Sequence, residues 1–225
     1  IGLSEMLAQQ FFRPLGHPKY AEYTQDILAR GRHLLNVVND ILQMSKLDAK
    51  KQEYEIGAVA IAPVIREAIT LVSGDAEKRG VVIDFKNAEG GITGFADRQA
   101  LKQVVINLLS NAVKFSSAGG HVDIAVRQIA DADATELSVS DSGCGMSPEL
   151  LQKLGQPFTQ ATHAYIRNNQ GTGLGLSICY ALAAGFGGTL AFESKENAGT
   201  TATLRLRSAH LKEIVAPHQP ESHAA

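Results

Sequence analysis

The chain has 225 residues, 44% of them hydrophobic and 20% charged, and a formal net charge of -2. That is enough apolar material for one packed domain with a smaller appendage, and too much for a disordered chain. No long basic run is present, which argues against nucleic acid as the main partner, and no apolar run approaches the roughly 18 residues that span a bilayer. Cys144 and Cys179 make neither a disulfide framework nor a metal site, as expected of a cytoplasmic, reducing compartment. The sequence opens in mid-pattern at Ile1 and Gly2 without an initiator Met, and is expected to be a piece of something longer.

The first fifth reads as helical. Leu3, Met6 and Leu7 share one helix face, and the stretch FFRPLGHP (Phe11 to Pro18) then interrupts the pattern, since two prolines and a glycine cannot continue a helix. A second helix is expected from about Lys19 to Asp48. Its apolar residues come as doublets seven apart, Ile27/Leu28, Leu34/Leu35 and Ile41/Leu42, with Val37/Val38 between. So wide a stripe suits a helical bundle, formed either against the chain's own domain or, as a lone hairpin would leave it half covered, against a second copy.

From Lys50 the pattern turns to mixed α/β. QEYEIGAVAI reads as extended, APVIREAITLVSGDAEKRG as a helix, VVIDFK as a strand and ITGFA as a short strand. DRQALKQVVINLLSNAVKFSS reads as a strong helix capped by Asp97. The strands HVDIAVRQI and TELSVSDSG follow, then a short helix (Pro148 to Leu154) and a long irregular stretch. The helix LGLSICYALAAGF and the strands GGTLAFES and TTATLRLRS close the pattern, and the residues beyond about Ala209 are expected to fray.

Four segments look like parts of one nucleotide site. In NLLSNAVKF, Asn107, Asn111 and Lys114 lie at i, i+4 and i+7 and share a helix face. Amide oxygens there can ligand Mg2+ beside triphosphate oxygens, and a lysine can neutralise phosphate, although a solvated polar face would read the same way. Asn is, however, a poor choice for a helix interior. In DSGCGM (Asp141 to Met146) a carboxylate at a strand end can accept from an exocyclic amine, with glycines that let backbone approach a flat ligand; alone, it is equally an ordinary strand-to-helix turn. GTGLGL (Gly171 to Leu176) opens a helix and can present free N–H groups to phosphate. No strand precedes it directly, so it is not a dinucleotide fingerprint. Between the glycine turns, the stretch from about Gln156 to Gln170 is long enough to be a lid, with Phe158 in its QPF and Arg167 placed either to reach a terminal phosphate or simply in solvent.

An Asn-bearing helix, D-x-G-x-G after a strand, a lid with Pro-Phe, and G-T-G-L-G-L into a helix, in that order, resemble the sensor histidine kinases of two-component systems. They match that family's asparagine, first glycine, phenylalanine and second glycine boxes, and GHPKYAEYTQDILARGRHLLNVVNDILQMSKLDAKK looks like the second helix of its dimerisation hairpin, nearest to the PleC/DivJ/DivL-type cell-cycle subgroup. The resemblance implies an α+β architecture. A helical hairpin (residues 1–50) pairs into a dimeric four-helix bundle, a Bergerat-type α/β sandwich (51–208) binds ATP, and a tail follows (209–225).

It further implies ATP and Mg2+ as ligands, with Asn111 on the metal, Asn107 supporting the phosphates, Lys114 on phosphate and Phe115 along the base or ribose. Asp141 would accept from the adenine amino group, with Gly143 and Gly145 permitting close approach. Phe158 would anchor the lid and Arg167 meet the γ-phosphate. Gly171, Thr172, Gly173, Leu174 and Gly175 would wrap the phosphates, and Thr200, or nearly as well Thr201, would bridge to the adenine pocket. The closing AGTT departs from the family's usual G-x-G-[ST]-x-F. The family's acceptor box would end at about Gly2 and place its histidine about three helical turns before Ile1. None of the seven histidines has that pattern, and His33 reads as a packing or surface residue.

The implied activity is phosphoryl transfer to an acceptor upstream and on to a response-regulator aspartate. A scaffold of the same family that binds ATP without depending on phosphotransfer is the alternative. The related clamps and ATPases (gyrase B, Hsp90, MutL) carry a glutamate four residues before the metal-binding Asn; here that position is Asn107, which disfavours hydrolysis.

Overall fold

The computed structural model describes residues 2–10, 18–49, 52–86, 91–129, 132–157, 159 and 172–209. Two helices come first, α1 (Gly2–Ala8) and the long α2 (Pro18–Asp48). The α/β part then runs β1 (Ile56–Ala60), α3 (Ile61–Arg79), β2 (Val82–Lys86), β3 (Thr93–Asp97), α4 (Arg98–Phe115), β4 (His121–Ile129), β5 (Ala134–Asp141), α5 (Pro148–Leu151), α6 (Gly175–Gly185), β6 (Thr189–Ser194) and β7 (Thr200–Arg207). These elements follow the sequence reading closely, α2 starting at the proline itself, which the first helical turn tolerates. The expectation of a frayed tail concerns residues outside those described.

Period-two alternation builds the main sheet, ordered β2-β4-β5-β7-β6, with β2 and β4 parallel and the other pairs antiparallel. On one face, Val126, Leu137, Leu204 and Leu190 form a row across four strands, and Ile124, Val139, Ala202 and Phe192 form the next. All belong to, or pack against, the buried core that α3, α4 and α6 complete. The opposite face is polar and carries ion pairs such as Lys86–Asp123 and Arg127–Glu136. The result is a two-layer sandwich.

The helices are set by their own patterns. α3 buries Ile61, Val64, Ile65, Ala68, Val72 and Ala76, a three-to-four-residue spacing, and stops at Gly80, whose φ of 66° is left-handed. Asp97 begins α4 as expected, one carboxylate oxygen accepting from the Ala100 N–H at 2.8 Å. Its other oxygen accepts from the Glu55 N–H at 2.9 Å, so one cap also ties down the segment leaving α2. Beside it, Tyr54 lies against Gly185 near the end of α6, where a β-carbon would come within 2.2 Å of the ring. Met44 and Leu47 pack on the same core and seat the C-terminal end of α2 on the domain. Further along α2, Tyr20, Tyr23, Ile27, Leu34, Leu35, Val38, Ile41 and Leu42 stand exposed.

Leu137, fully buried in the middle row, should cost about 2–5 kcal/mol when cut to Ala in urea denaturation. Leu71→Ala, at a site 65% exposed on α3, should stay within about 0.5 kcal/mol. Equal losses at the two positions would contradict this placement of the core.

Candidate functional site

All four segments singled out in the sequence reach one cavity of about 620 Å³, the fourth through Gln156 and Thr159 among its described residues. α4 lines it with Asn107, Asn111, Lys114 and Phe115; the sheet end and the loop after β5 contribute Asp141, Gly145 and Thr200; the turn before α6 contributes Thr172, Gly173 and Gly175. Gly143 and Leu174 are not among the lining residues, and the Leu174 side chain is buried in the core. Phe158, Arg167 and Gly171 lie outside the described residues.

One end of the cavity is built by strand register. Asp141 shares a strand face with Leu137 and Val139 and therefore points toward the helical layer. Its carboxylate accepts from the Gly143 N–H at 2.8 Å and from the Thr200 N–H. Burial pushes its pKa above the ordinary carboxylate value, while those two N–H groups oppose the rise. Thr200 is the residue directly opposite Asp141, so both occupy the same face. Thr201 pairs with Ser140 on the other face, where their hydroxyls lie 2.9 Å apart. Parity thus separates two threonines that the sequence left open: Thr200 lines the cavity and Thr201 does not.

Sequence reasoning missed Ser194, which holds this end together. Its hydroxyl accepts from the Met146 N–H, donates to the Gly199 carbonyl, and lies 2.9 Å from the Thr200 hydroxyl. The glycines here have a reason within the protein. A β-carbon on Gly145, whose φ is 64°, would lie 1.9 Å from the Lys195 carbonyl oxygen, and one on Gly199 (φ 85°) equally close to that of Asp141. At Gly143 it would meet the Phe115 carbonyl oxygen at 2.5 Å. Backbone crosses backbone under the cavity, and only glycine fits.

The other end lies between α4 and α6. Asn107 joins these helices: its amide oxygen accepts from Gln103, and its amide nitrogen donates to the Gly175 carbonyl at 3.4 Å and to the Cys179 thiol. Cys179 is buried, which pushes its pKa up to about 12 and makes it a packing residue rather than a nucleophile. The side-chain amide of Asn111, one turn further on, lines the cavity with no hydrogen-bond partner among the described residues. Burial holds the Lys114 pKa below its usual value, and the charge of Arg79 adds to the depression. The Lys114 ammonium sits 4.9 Å from the Phe115 ring centre. An anion in the cavity would relieve both effects on the lysine.

The turn into α6 is locally closed. The Thr172 hydroxyl accepts from the Leu174 N–H at 3.1 Å, across Gly173 at φ 74°. No side chain caps α6, and a β-carbon on Gly175 would meet nothing within 4 Å. The helix start is thus open on the cavity side, where its dipole favours an anion.

α2 supplies the remaining wall. His33, Asn36, Asn39 and Asp40 all line the cavity, and Asp40 accepts from the Thr172 hydroxyl at 2.7 Å. His33 is half-buried there rather than an incidental surface residue. The signal was present as a polar stripe opposite the apolar doublets, but nothing in the sequence said what it would face. Asp40 and Asp141 are the only carboxylates among the described lining residues, and α4 presents none. Among the described residues no three His, Cys, Asp or Glu side chains gather to cage a metal, so a cation here needs phosphate oxygens as co-ligands beside an amide such as that of Asn111.

A carboxylate at a strand end, an amide-and-lysine helix face and a glycine turn opening a helix thus share one cavity, acidic at one end and open to an anion at the other. Residues 96–210 match the family of histidine kinase-, DNA gyrase B- and HSP90-like ATPases, and the chain belongs to that family. More particularly, its relatives are histidine kinases, and residues 96–210 correspond to their ATP-binding catalytic domain. It is 39% identical over 206 residues to histidine protein kinase DivJ of Caulobacter vibrioides, covering 92% of this chain and 34% of that one. The chain therefore spans about a third of that relative's length. Full-length ShkA in complex with AMPPNP superposes with a TM-score of 0.74 at 28% identity, over 93% of this chain and 42% of ShkA. The histidine kinase ThkA in complex with the response regulator TrrA gives 0.60 at 25% identity, over 92% and 56%.

The raised Asp141 pKa has a pH signature. A carboxylate must be ionised to accept best from an amine, and this one protonates at a higher pH than an ordinary aspartate. Affinity for adenosine, which has no phosphate to titrate, should fall on acidification while the pH is still above the ordinary carboxylate range. Calorimetry on Asp141→Asn should show that acid limb flattened; an unchanged limb would place the titrating group elsewhere.

Proposed function

We propose that this chain binds MgATP and presents its γ-phosphate for transfer to an acceptor side chain upstream in the longer protein, from which it passes to a response-regulator aspartate. The observation that carries this reading is the convergence of Asp141, the Asn111–Lys114 face of α4 and the turn at Gly173–Gly175 on one cavity. Asp141 would take the adenine amino group, with Thr200 beside it. Phe115 would lie along the base or ribose. Lys114 and the N–H groups at the start of α6 would hold the phosphates, and Asn111 would share Mg2+ with them. The metal's contribution is to neutralise charge on the transferred group, and the side chains supply position and electrostatics. Arg167 and Phe158 are assigned to the lid on the family resemblance alone.

Asn107 supports this arrangement from behind, because its amide already spans α4 and α6. With an amide at that position and no carboxylate on the cavity face of α4, nothing there would activate water, and transfer is favoured over hydrolysis. Residues 1–50 are read as part of a dimerisation arm. The apolar residues exposed along α2, from Tyr20 to Leu42, need a second copy to cover them, which supports a homodimer. The ThkA–TrrA complex supports a receiver domain as the downstream partner. No described helix is long and apolar enough to cross a membrane, and the cytoplasm, where ATP and receiver domains meet, is the proposed location.

MgATP should bind with micromolar to millimolar affinity, about 4 to 8 kcal/mol. Asn111→Ala should remove the Mg2+-dependent part of that affinity. The chain alone should take up no γ-phosphate, and addition of the upstream acceptor helix should restore an acid-labile, base-stable label. Rapid release of free phosphate by the chain alone, abolished by Asn111→Ala, would contradict the transfer reading and make the protein an ATPase.

A further inference from the structure

Asp40 belongs to the helical arm, yet its carboxylate accepts a 2.7 Å hydrogen bond from Thr172, in the turn that opens α6. That hydroxyl also accepts from the Leu174 N–H, so in this arrangement its single proton is committed to Asp40. The carboxylate thus lies beside an uncapped helix start, where the macrodipole favours negative charge and where the nucleotide's phosphates would rest. The arm is held close here on two accounts: α2 packs on α6, and Met44, one turn beyond Asp40, packs on the domain core. Asn36 and Asn39 line the same cavity wall.

We propose that Asp40 is an intramolecular stand-in for phosphate, so that the nucleotide's phosphate tail and the helical arm compete for Thr172 and the start of α6. This rests on the nucleotide reading above and adds a determinant from outside the ATP-binding domain. Two anions cannot share that position without a strong repulsion in a half-buried site. A nucleotide's phosphates therefore displace Asp40 and loosen α2 from α6, while a docked arm weakens binding of the phosphates. Because the coupling is reciprocal, either effect measures the other. Adenosine reaches the Asp141 end without touching this contact and is indifferent to Asp40.

Calorimetry with adenosine and MgADP on the wild-type chain, Asp40→Asn and Asp40→Ala tests the competition. Asp40→Ala should bind MgADP roughly five- to fiftyfold more tightly than wild type. Asp40→Asn, which keeps an acceptor but loses the charge, should fall between them, and adenosine affinity should be the same in all three. As a readout that needs no variant, hydrogen exchange in wild-type α2 around Asp40 should quicken on adding MgADP and not on adding adenosine. Unchanged MgADP affinity in both variants, an equal gain for adenosine, or exchange indifferent to MgADP would overturn the competition while leaving the nucleotide site standing. If the wild type bound neither ligand, the nucleotide reading itself would fall and take this proposal with it.

Discussion

The pairing of Asp141 with Thr200 across β5 and β7 is the constraint from which the rest of the site follows. It fixes which face of each strand looks into the cavity, and a slip of one residue would turn Asp141 toward the polar side of the sheet. Its neighbours accept strict limits to preserve it. Gly145 and Gly199 hold backbone conformations and clearances that no side chain could share, and Ser194 joins Met146, Gly199 and Thr200 through one hydroxyl. The carboxylate is thus oriented by two backbone N–H groups, those of Gly143 and Thr200, which is how a half-buried acid can keep an acceptor oriented without a cationic partner.

The opposite end depends on helix packing instead. α4 is pinned at its start by Asp97 and joined to α6 through Asn107, so the Asn111–Lys114 face and the opening of α6 keep a fixed relation. Lys114 sits in an environment that disfavours its own charge, and such a site gains most from an incoming anion. One end is therefore suited to a planar amine-bearing base and the other to polyphosphate, with a family of ATPases and kinases as the background against which both make sense. α2 then adds a carboxylate, that of Asp40, hydrogen-bonded to Thr172 in the turn into α6.

Much of this was legible in the sequence. The elements could be read because periodicity is local: doublets seven apart in α2, alternation in β4, β5 and β7, and Asp97 before an amphipathic run. The boxes were legible through order and spacing. Pairing was not. Thr200 and Thr201 are chemically alike neighbours, and only register assigns one to the cavity. Nor could the sequence say that Gly143 and Gly145 are required by crossing backbone, that Ser194 from another strand ties Met146 to Gly199, or that Asn107 is committed to its helical neighbours. The apolar doublets of α2 were visible, while the surface met by the polar residues opposite them arises only when the arm lies on α6. Phe158, Arg167 and Gly171 keep the standing the resemblance gave them.

A crystal structure of the chain with Mg2+ and a non-hydrolysable ATP analogue tests the central claim most directly. The adenine amino group should lie within hydrogen-bonding distance of the Asp141 carboxylate, with the phosphates beside Lys114 and the Gly173–Gly175 turn and the metal touching Asn111. A nucleotide bound outside this cavity, or one inside it with its phosphates toward Asp141 and its base toward α6, would contradict the account.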